Sequence, residues 1–420
     1  RERVIVRTSR DHHKASRMIN RAIICGLLSS GVDVHDFRVS PIPVVRYKMG
    51  IQGAVGGVHI RKSPYDPEII DIKFFDERGL DLPSSKEKGI ERLFFREDFR
   101  RASIEGTGRL SFPEHGIEYY QEGLLHFINK DLIRKARFKV VIDYAYGSSS
   151  TIFPPVLGEL GCEVIALNAY MDESKITKTT EEFQRSWNQL SEIVRILGAD
   201  LGIMMDTGAE KIFLVDEKGD ILPDDLALAL IALLVLKTQK KGAIGIPVTA
   251  SSVLDELAIA HGFQVIHTKT APRSLMEVAA QEGVVFVGDG MGGFIFPDFQ
   301  PAFDGMLATL KILEMLAATG SRLHNLLRSI PERFMVKTRL PCPWEIKGTI
   351  MRRLIEDTKD EEVELIDGVK VFYGNEWVLL YPDQDKPFFH VIAEAKEERR
   401  AEDLLLLFKE KVREWQREIG

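Results

Sequence analysis

One pattern recurs three times along the chain and restricts its fold more than any other property. Each copy runs through a β-branched strand, a loop, an apolar helix, a glycine and a second strand. The first copy is Val4-Ile5-Val6, a helix through Met18–Leu28, then Gly31-Val32-Asp33-Val34. The second is KVVID (139–143), Ser148-Ser149-Ser150, a helix to Leu160, then GCEVIAL (161–167). The third is GAIGIPV (242–248), Ser251-Ser252, a helix to Ala260, then Gly262 and QVIH (264–267). Short continuous β-branched runs suit strands covered on both faces. Glycine follows a helix where the backbone must turn left-handed. Each copy is followed by another strand that runs into a glycine- or aspartate-bearing loop: GGVHIRKS (56–63), ADLGIMMDTG (199–208) and VVFVGDGMGG (284–293). Open α/β sheets bind ligands beyond the carboxyl ends of their strands, so these loops are where chemistry is expected.

The final stretch differs. KVFY (370–373), WVLLYP (377–382) and FFHVIAEA (388–395) alternate as antiparallel strands do, and a helix from Ala401 to about Trp415 follows. The expected architecture is three similar mixed-sheet α/β domains followed by a small α+β domain with an antiparallel sheet. The boundaries fall at 1–134, 135–239, 240–340 and 341–420, with linkers near Lys130–Phe138, Lys237–Lys241 and Thr338–Trp344.

Composition narrows the function classes. The 420 residues carry 56 Lys+Arg against 63 Asp+Glu, a net charge of -7, which disfavours nucleic acid as a partner. Cys25, Cys162 and Cys342 are widely spaced and odd in number, which speaks against a disulfide framework or a zinc site and for a reducing compartment, the cytoplasm. The longest apolar run, Leu226–Leu236, is too short to cross a bilayer, so it reads as a buried helix and no membrane partner is expected. An oligomer is compatible with all of this. The sequence opens on Arg1 and reaches a strand by Val4, which suggests that an upstream region precedes it.

Three stretches carry a resemblance. They are GGVHIRKSPYDPEIIDIKFFDERGLDL (56–82), ADLGIMMDTGAEKIFLVDEKGDILPDD (199–225) and PDFQPAFDGMLATLKILEMLA (297–317). With the order of domains, they resemble the α-D-phosphohexomutase superfamily, the phosphomannomutases and phosphoglucomutases, over the whole chain apart from its start. The resemblance implies a phosphoryl-carrying serine, three aspartates that hold Mg²⁺, a loop that reads sugar hydroxyls and a loop that grips the substrate phosphate.

The residues at those places depart from the family's pattern. Where the family has Thr-Ala-Ser-His-Asn-Pro, this chain has Arg61-Lys62-Ser63-Pro64-Tyr65-Asp66. Ser63 is the candidate phosphoryl carrier, though an ordinary loop serine is the plainer reading. Arg61 and Lys62 are candidates for anion binding, and Lys73 matches a lysine the family keeps near the phosphate. At Asp-Gly-Asp-Gly-Asp-Arg the chain has Asp206-Thr207-Gly208-Ala209-Glu210-Lys211. Asp206 is the candidate metal ligand, yet one aspartate and a longer glutamate make a poor cage for an ion that wants tight octahedral oxygens, so Mg²⁺ is doubtful. Alternatively, Asp206 closes a tight turn. In the sugar loop the chain has Gly288-Asp289-Gly290-Met291-Gly292-Gly293, with Asp289 in place of a glutamate, and Arg273 stands where the family often has a phosphate-facing lysine. In the phosphate loop, Tyr381-Pro382-Asp383-Gln384-Asp385-Lys386-Pro387 replaces an arginine and two hydroxyls. Two carboxylates beside a phosphate cost on the order of 1–4 kcal/mol each.

Phosphoryl transfer needs all four loops together, because it rests on positioning and electrostatic stabilisation. The first expectation is therefore a catalytically impaired member of a sugar-nucleotide pathway. It would act as a regulatory, assembly or sugar-phosphate-binding module, similar to the C-terminal part of bacterial mannose-1-phosphate guanylyltransferase fusions with a nucleotidyltransferase upstream. GIERLFFREDFRRASIEGTGRL (89–110) resembles that subgroup. The alternatives are an active phosphomannomutase or phosphoglucomutase working through a phosphoserine, and a binder of another anion in the same cleft. Whether the chain is an enzyme stays open at the level of sequence.

Overall fold

The computed structural model describes residues 4–49, 53–64, 66–384 and 386–419. The first unit holds β1 (Ile5–Arg10), β2 (Asp33–Val39), β3 (Ala54–Lys62), β4 (Ile70–Asp76) and β5 (Leu110–Ser111). The second holds β6 (Lys139–Asp143), β7 (Glu163–Leu167), β8 (Leu201–Met205) and β9 (Ile212–Val215). The third holds β10 (Ala243–Pro247), β11 (Gln264–Thr268), β12 (Val284–Gly288) and β13 (Phe294–Ile295). Their sheets run β4-β3-β1-β2-β5, β7-β6-β8-β9 and β11-β10-β12-β13. The threefold sequence pattern is thus a threefold topology. In each unit the first two strands pair in parallel, the third joins the first in parallel, and the fourth folds back antiparallel on the third.

The three units share one apolar core. At its centre, Ala227–Leu236 are buried on every face of the helix Asp224–Thr238. That helix starts at Pro223 with two aspartates in its first turn, where negative charge favours the helix dipole. It packs on the helix Gly305–Thr319, whose first turn is capped by Asp304. Among the described residues no helix is long and apolar enough to cross a membrane.

The fourth unit is an antiparallel sheet in the order β14-β18-β17-β16-β15, built from β14 (Phe334–Pro341), β15 (Glu362–Glu364), β16 (Val369–Tyr373), β17 (Glu376–Pro382) and β18 (Phe388–Ala395). The helix Glu398–Ile419 buries Ala401, Leu404, Leu405, Phe408 and Val412 against it. Two sequence expectations change here. The stretch 338–344 is not a linker, because β14 pairs with β18 from Phe334 to Pro341 and so carries the fourth sheet back across the expected boundary at 340/341. Another of the three expected linkers, 130–138, is largely the helix Lys130–Ala136.

Candidate active site

The three expected loops are the turns of three equivalent hairpins, β3–β4, β8–β9 and β12–β13. The middle turn, 206–211, is held by the units on either side. The Ile42 amide donates to Gly208 O at 3.2 Å, Gly305 N to Ala209 O at 2.8 Å, and Ile212 N to Gly292 O at 2.9 Å. Asp206 closes the turn from within, its Oδ1 accepting from the amides of Glu210 (2.7 Å) and Lys211 (2.9 Å). Ala209 is fully buried with φ 57°, a left-handed backbone that disfavours any Cβ.

Strand pairing sets the charges of the serine hairpin. Arg61 lies opposite Asp71, and His59 lies opposite Lys73, so all four share one face. That face meets Glu210. Lys73 Nζ is 2.6 Å from Glu210 Oε2, Arg61 Nη1 is 3.5 Å from the same oxygen, and Arg46 Nη2 is 3.1 Å from Oε1. Arg61 also pairs with Asp71 (3.2 Å) and stands 3.9 Å from Asp206 Oδ2. Arg46 is fully buried, lies over the Phe75 ring and bonds Asp81 at 2.6 Å. Burial alone would raise the Glu210 carboxyl, but Lys73, Arg46 and Arg61 outweigh it and hold Glu210 well below the usual range. Burial, then the Glu210 charge, pushes Asp206 upward.

Ser63 sits just past β3 and is 6% exposed. Its amide donates to Ile69 O (3.0 Å), and its carbonyl accepts from Thr177 Oγ1 (2.6 Å). Lys62 is fixed through its amide to Asp11 Oδ2 at 2.7 Å. Asp11 therefore shapes the serine loop, and His13 beside it caps the helix Lys14–Ser29 by accepting from the Ala15 amide. A cavity of about 350 Å³ opens between Pro64, Asp206 and Met291, walled by Ile176, Phe183 and Phe213.

The remaining candidates are engaged elsewhere. Asp289 accepts from the amides of Met291 and Gly293 at 2.7 and 2.8 Å, closing its own turn, while its Oδ2 meets Lys211 Nζ at 2.9 Å. Arg273, expected to face an anion, is held by Asp76 (2.8 Å), Glu277 (2.8 Å) and the Asp81 carbonyl, which joins the third unit to the first. In the fourth unit Tyr381 stacks on His390 with centroids 4.7 Å apart, and burial pushes its hydroxyl up to about 12. Asp383 accepts from His390 Nε2 (3.0 Å) and the Lys386 amide (2.9 Å). Tyr65 and Asp385 lie outside the described residues.

The fold thus gathers Arg61, Lys73 and Asp206 around Glu210, and it leaves Arg273 at a separate joint. Sequence reading missed Arg46, whose signal was a lone charge inside the apolar PIPVVRY run, and it missed Thr177, which carries no such signal. The turn offers magnesium fewer carboxylates than the three aspartates of the family's pattern. Gly208 supplies no carboxylate, and a Cβ built there would lie 3.1 Å from Arg61 Nη1 and 3.3 Å from Asp206 Oδ2. Asp206 Oδ1 already serves two amides, and Glu210 serves three cations. An ion that wants six oxygens at roughly 2.0–2.1 Å would have to draw most of them from water or phosphate.

Comparison with known proteins agrees with this architecture. The profiles described as phosphoglucomutase/phosphomannomutase, alpha/beta/alpha domains I, II and III match residues 2–101, 118–219 and 223–334. A "Phosphoglucomutase/phosphomannomutase" of Thermococcus kodakarensis is 32% identical over 97% of this chain and 89% of its own length. A "Phosphoglucosamine mutase" of Methanococcus maripaludis is 28% identical over 94% of this chain and 89% of its own. Among solved structures, a phosphoglucomutase/phosphomannomutase family protein from Burkholderia thailandensis superposes with a TM-score of 0.81 at 20% identity, covering 97% of this chain and 90% of that one. An Aspergillus fumigatus N-acetylphosphoglucosamine mutase, solved with GlcNAc-6P and magnesium, gives a TM-score of 0.60 at 12% identity over 95% of this chain and 98% of that one.

Proposed function

The chain belongs to the phosphoglucomutase/phosphomannomutase family, and from that premise we propose that it acts on hexose phosphates in the cleft between its units, as a mutase with Ser63 carrying the phosphoryl group. The observation that supports this reading is the extent of the match: relatives called mutases align over 97% and 94% of the chain and 89% of their own lengths. Ser63 and Lys73 keep their places on the serine hairpin. In such a cycle the P–O bond of phospho-Ser63 breaks and the phosphoryl group passes to a sugar hydroxyl, which loses its proton. The bisphosphate so formed returns its other phosphoryl group to Ser63. Arg61 and Lys73 supply positive charge beside that loop, and preorganised charge is the main catalytic resource for this transfer.

A second reading is favoured by the metal and phosphate loops. Gly208 offers no ligand, and Asp383 places a carboxylate where the family grips a phosphate. On that reading the chain binds sugar phosphates without turnover and regulates or assembles a partner, such as an upstream nucleotidyltransferase. A coupled assay from hexose 1-phosphate to hexose 6-phosphate, with a hexose bisphosphate activator, separates the two. The mutase reading expects turnover that drops to background in Ser63→Ala while the melting temperature is unchanged. Absence of turnover in the wild type, with calorimetric binding of hexose phosphate intact, overturns it in favour of the second.

A further inference from the structure

We propose that Arg61 is a resident cation that takes the place of a divalent metal ion, so that the serine hairpin is joined to the 206–211 turn without any metal. The inference rests on the family reading only for the identity of that turn. Three observations carry it. First, the space is filled: Arg61 Nη1 lies between Glu210 Oε2 (3.5 Å) and Asp206 Oδ2 (3.9 Å), and it borders the point where a side chain at Gly208 would begin (3.1 Å). Second, Arg61 is pinned from behind by Asp71, its cross-strand neighbour, so the guanidinium is presented to the turn by the hairpin itself. Third, Glu210 has the reach this arrangement needs. One oxygen takes Lys73 and Arg61 from the hairpin, and the other takes Arg46 from the helix Ile42–Arg46.

Each carboxylate of this cluster already faces a resident cation: Arg46, Arg61 and Lys73 are shared among Asp71, Asp81, Asp206 and Glu210. A divalent cation would have to displace a guanidinium that is only 13% exposed and strip it of two of its three carboxylate partners, leaving Asp71 alone, which is costly for a charge held this far from water. An arginine is also charged at every accessible pH, so the joint needs no ion and no particular proton.

Mn²⁺ is the probe, titrated into the full chain and read by the electron paramagnetic resonance of the free ion, alongside thermal melts with Mg²⁺ or EDTA. The wild type is expected to bind no Mn²⁺ that Asp206→Asn abolishes, uptake at Asp216, Asp220 and His324 being removed beforehand by His324→Gln in every protein compared, and to melt at the same temperature in all three conditions. The double variant Arg61→Thr/Gly208→Asp is expected to take up one Mn²⁺ and to melt higher with metal than with EDTA. Gly208→Asp alone, with Arg61 in place, is expected to stay metal-blind. If the double variant folds only when metal is added, that rescue supports the proposal. If it ignores Mn²⁺ when folded, or is not rescued when unfolded, the proposal is overturned. Mn²⁺ uptake by Gly208→Asp, or uptake by the wild type that Asp206→Asn abolishes, overturns it too. A wild type that binds Mn²⁺ and turns over defeats this inference and leaves the mutase reading standing. A wild type with neither defeats the mutase reading and leaves this inference standing.

Discussion

Two joints between units are built from opposite kinds of charge. Around Glu210, the first unit meets the 206–211 turn through two guanidiniums and a lysine, and the carboxylate they surround stays ionised well below the ordinary range. Between the third and fourth units, Glu394 accepts from the Ser252 amide and Trp377 Nε1 (both 3.0 Å), Lys370 donates to the Val248 carbonyl (2.9 Å), and Thr270 Oγ1 donates to Asp367 (2.8 Å). His267 sits in that joint, 2.8 Å from Asp255 and 3.5 Å from Glu364 of the fourth sheet. The first joint gathers two arginines, a lysine and a carboxylate held well below its usual range. Both joints carry a histidine, the side-chain type that titrates near neutrality, but burial and then Arg61 hold His59 well below its ordinary value, whereas His267 is raised. One holds the candidate catalytic hairpins together, and the other lets the fourth unit's attachment depend on protons.

The comparison breaks most visibly at Glu210. Glu210→Ala leaves Arg46, Arg61 and Lys73 crowded and buried with their shared partner gone. The expected loss is about 3–5 kcal/mol, the range for removing one side of a buried charge network, measured by chemical denaturation of the full chain. A loss below about 1 kcal/mol, the usual worth of an exposed pair, would mean that the network is as weak as a surface one.

The second joint is tested with pH. Hydrogen bonding to Asp255, then the neighbouring Glu364, raises His267 from 6.5 to about 9 despite the opposing effect of burial. The folded value lies above the unfolded one, so its stabilisation is complete below about pH 6.5 and is lost as pH rises through about 9. The expected size is about 1–3 kcal/mol. Melting temperature should fall across that window in the wild type, and the fall should be blunted in His267→Gln. Identical profiles for the two proteins would remove the proton dependence from this joint.

Sequence reached the scaffold more easily than the site, and the residues show why. Threefold repetition, the continuous apolar run 226–236 and the alternation of 388–395 are periodic signals, and the sheets and helices follow them closely. β14 escaped because Phe334–Pro341 mixes charged and apolar residues and ends in prolines, which reads as a connection until β18 is seen beside it. At the site, Ser63, Lys73 and Asp206 were found by position. Their partners were not legible, because Arg46 and Glu210 stand 164 residues apart and meet only through the packing of separate units. Arg61 was read as an anion contact because two adjacent basic residues, Arg61 and Lys62, carry no mark of the carboxylates that will face the first of them.

The smallest test concerns strain within the first joint. Ala209 is held at φ 57° because its neighbours fix both of its backbone groups: its amide donates to Asp206 O at 3.0 Å, and its carbonyl accepts from Gly305 N at 2.8 Å. A left-handed alanine costs about 1–2 kcal/mol, and glycine would relieve that while adding roughly 0.5–1 kcal/mol of unfolded-state freedom. Ala209→Gly should therefore stabilise the chain by about 0.5 kcal/mol, seen as a small rise in denaturation midpoint with an unchanged slope. Ala209→Val should do the reverse and by more, because a β-branched residue tolerates this backbone least and the site has no spare volume at 0% exposure. If Gly and Val both lower the midpoint equally, packing of the methyl group rather than backbone strain governs the turn, and the joint at Glu210 is held by shape as well as by charge.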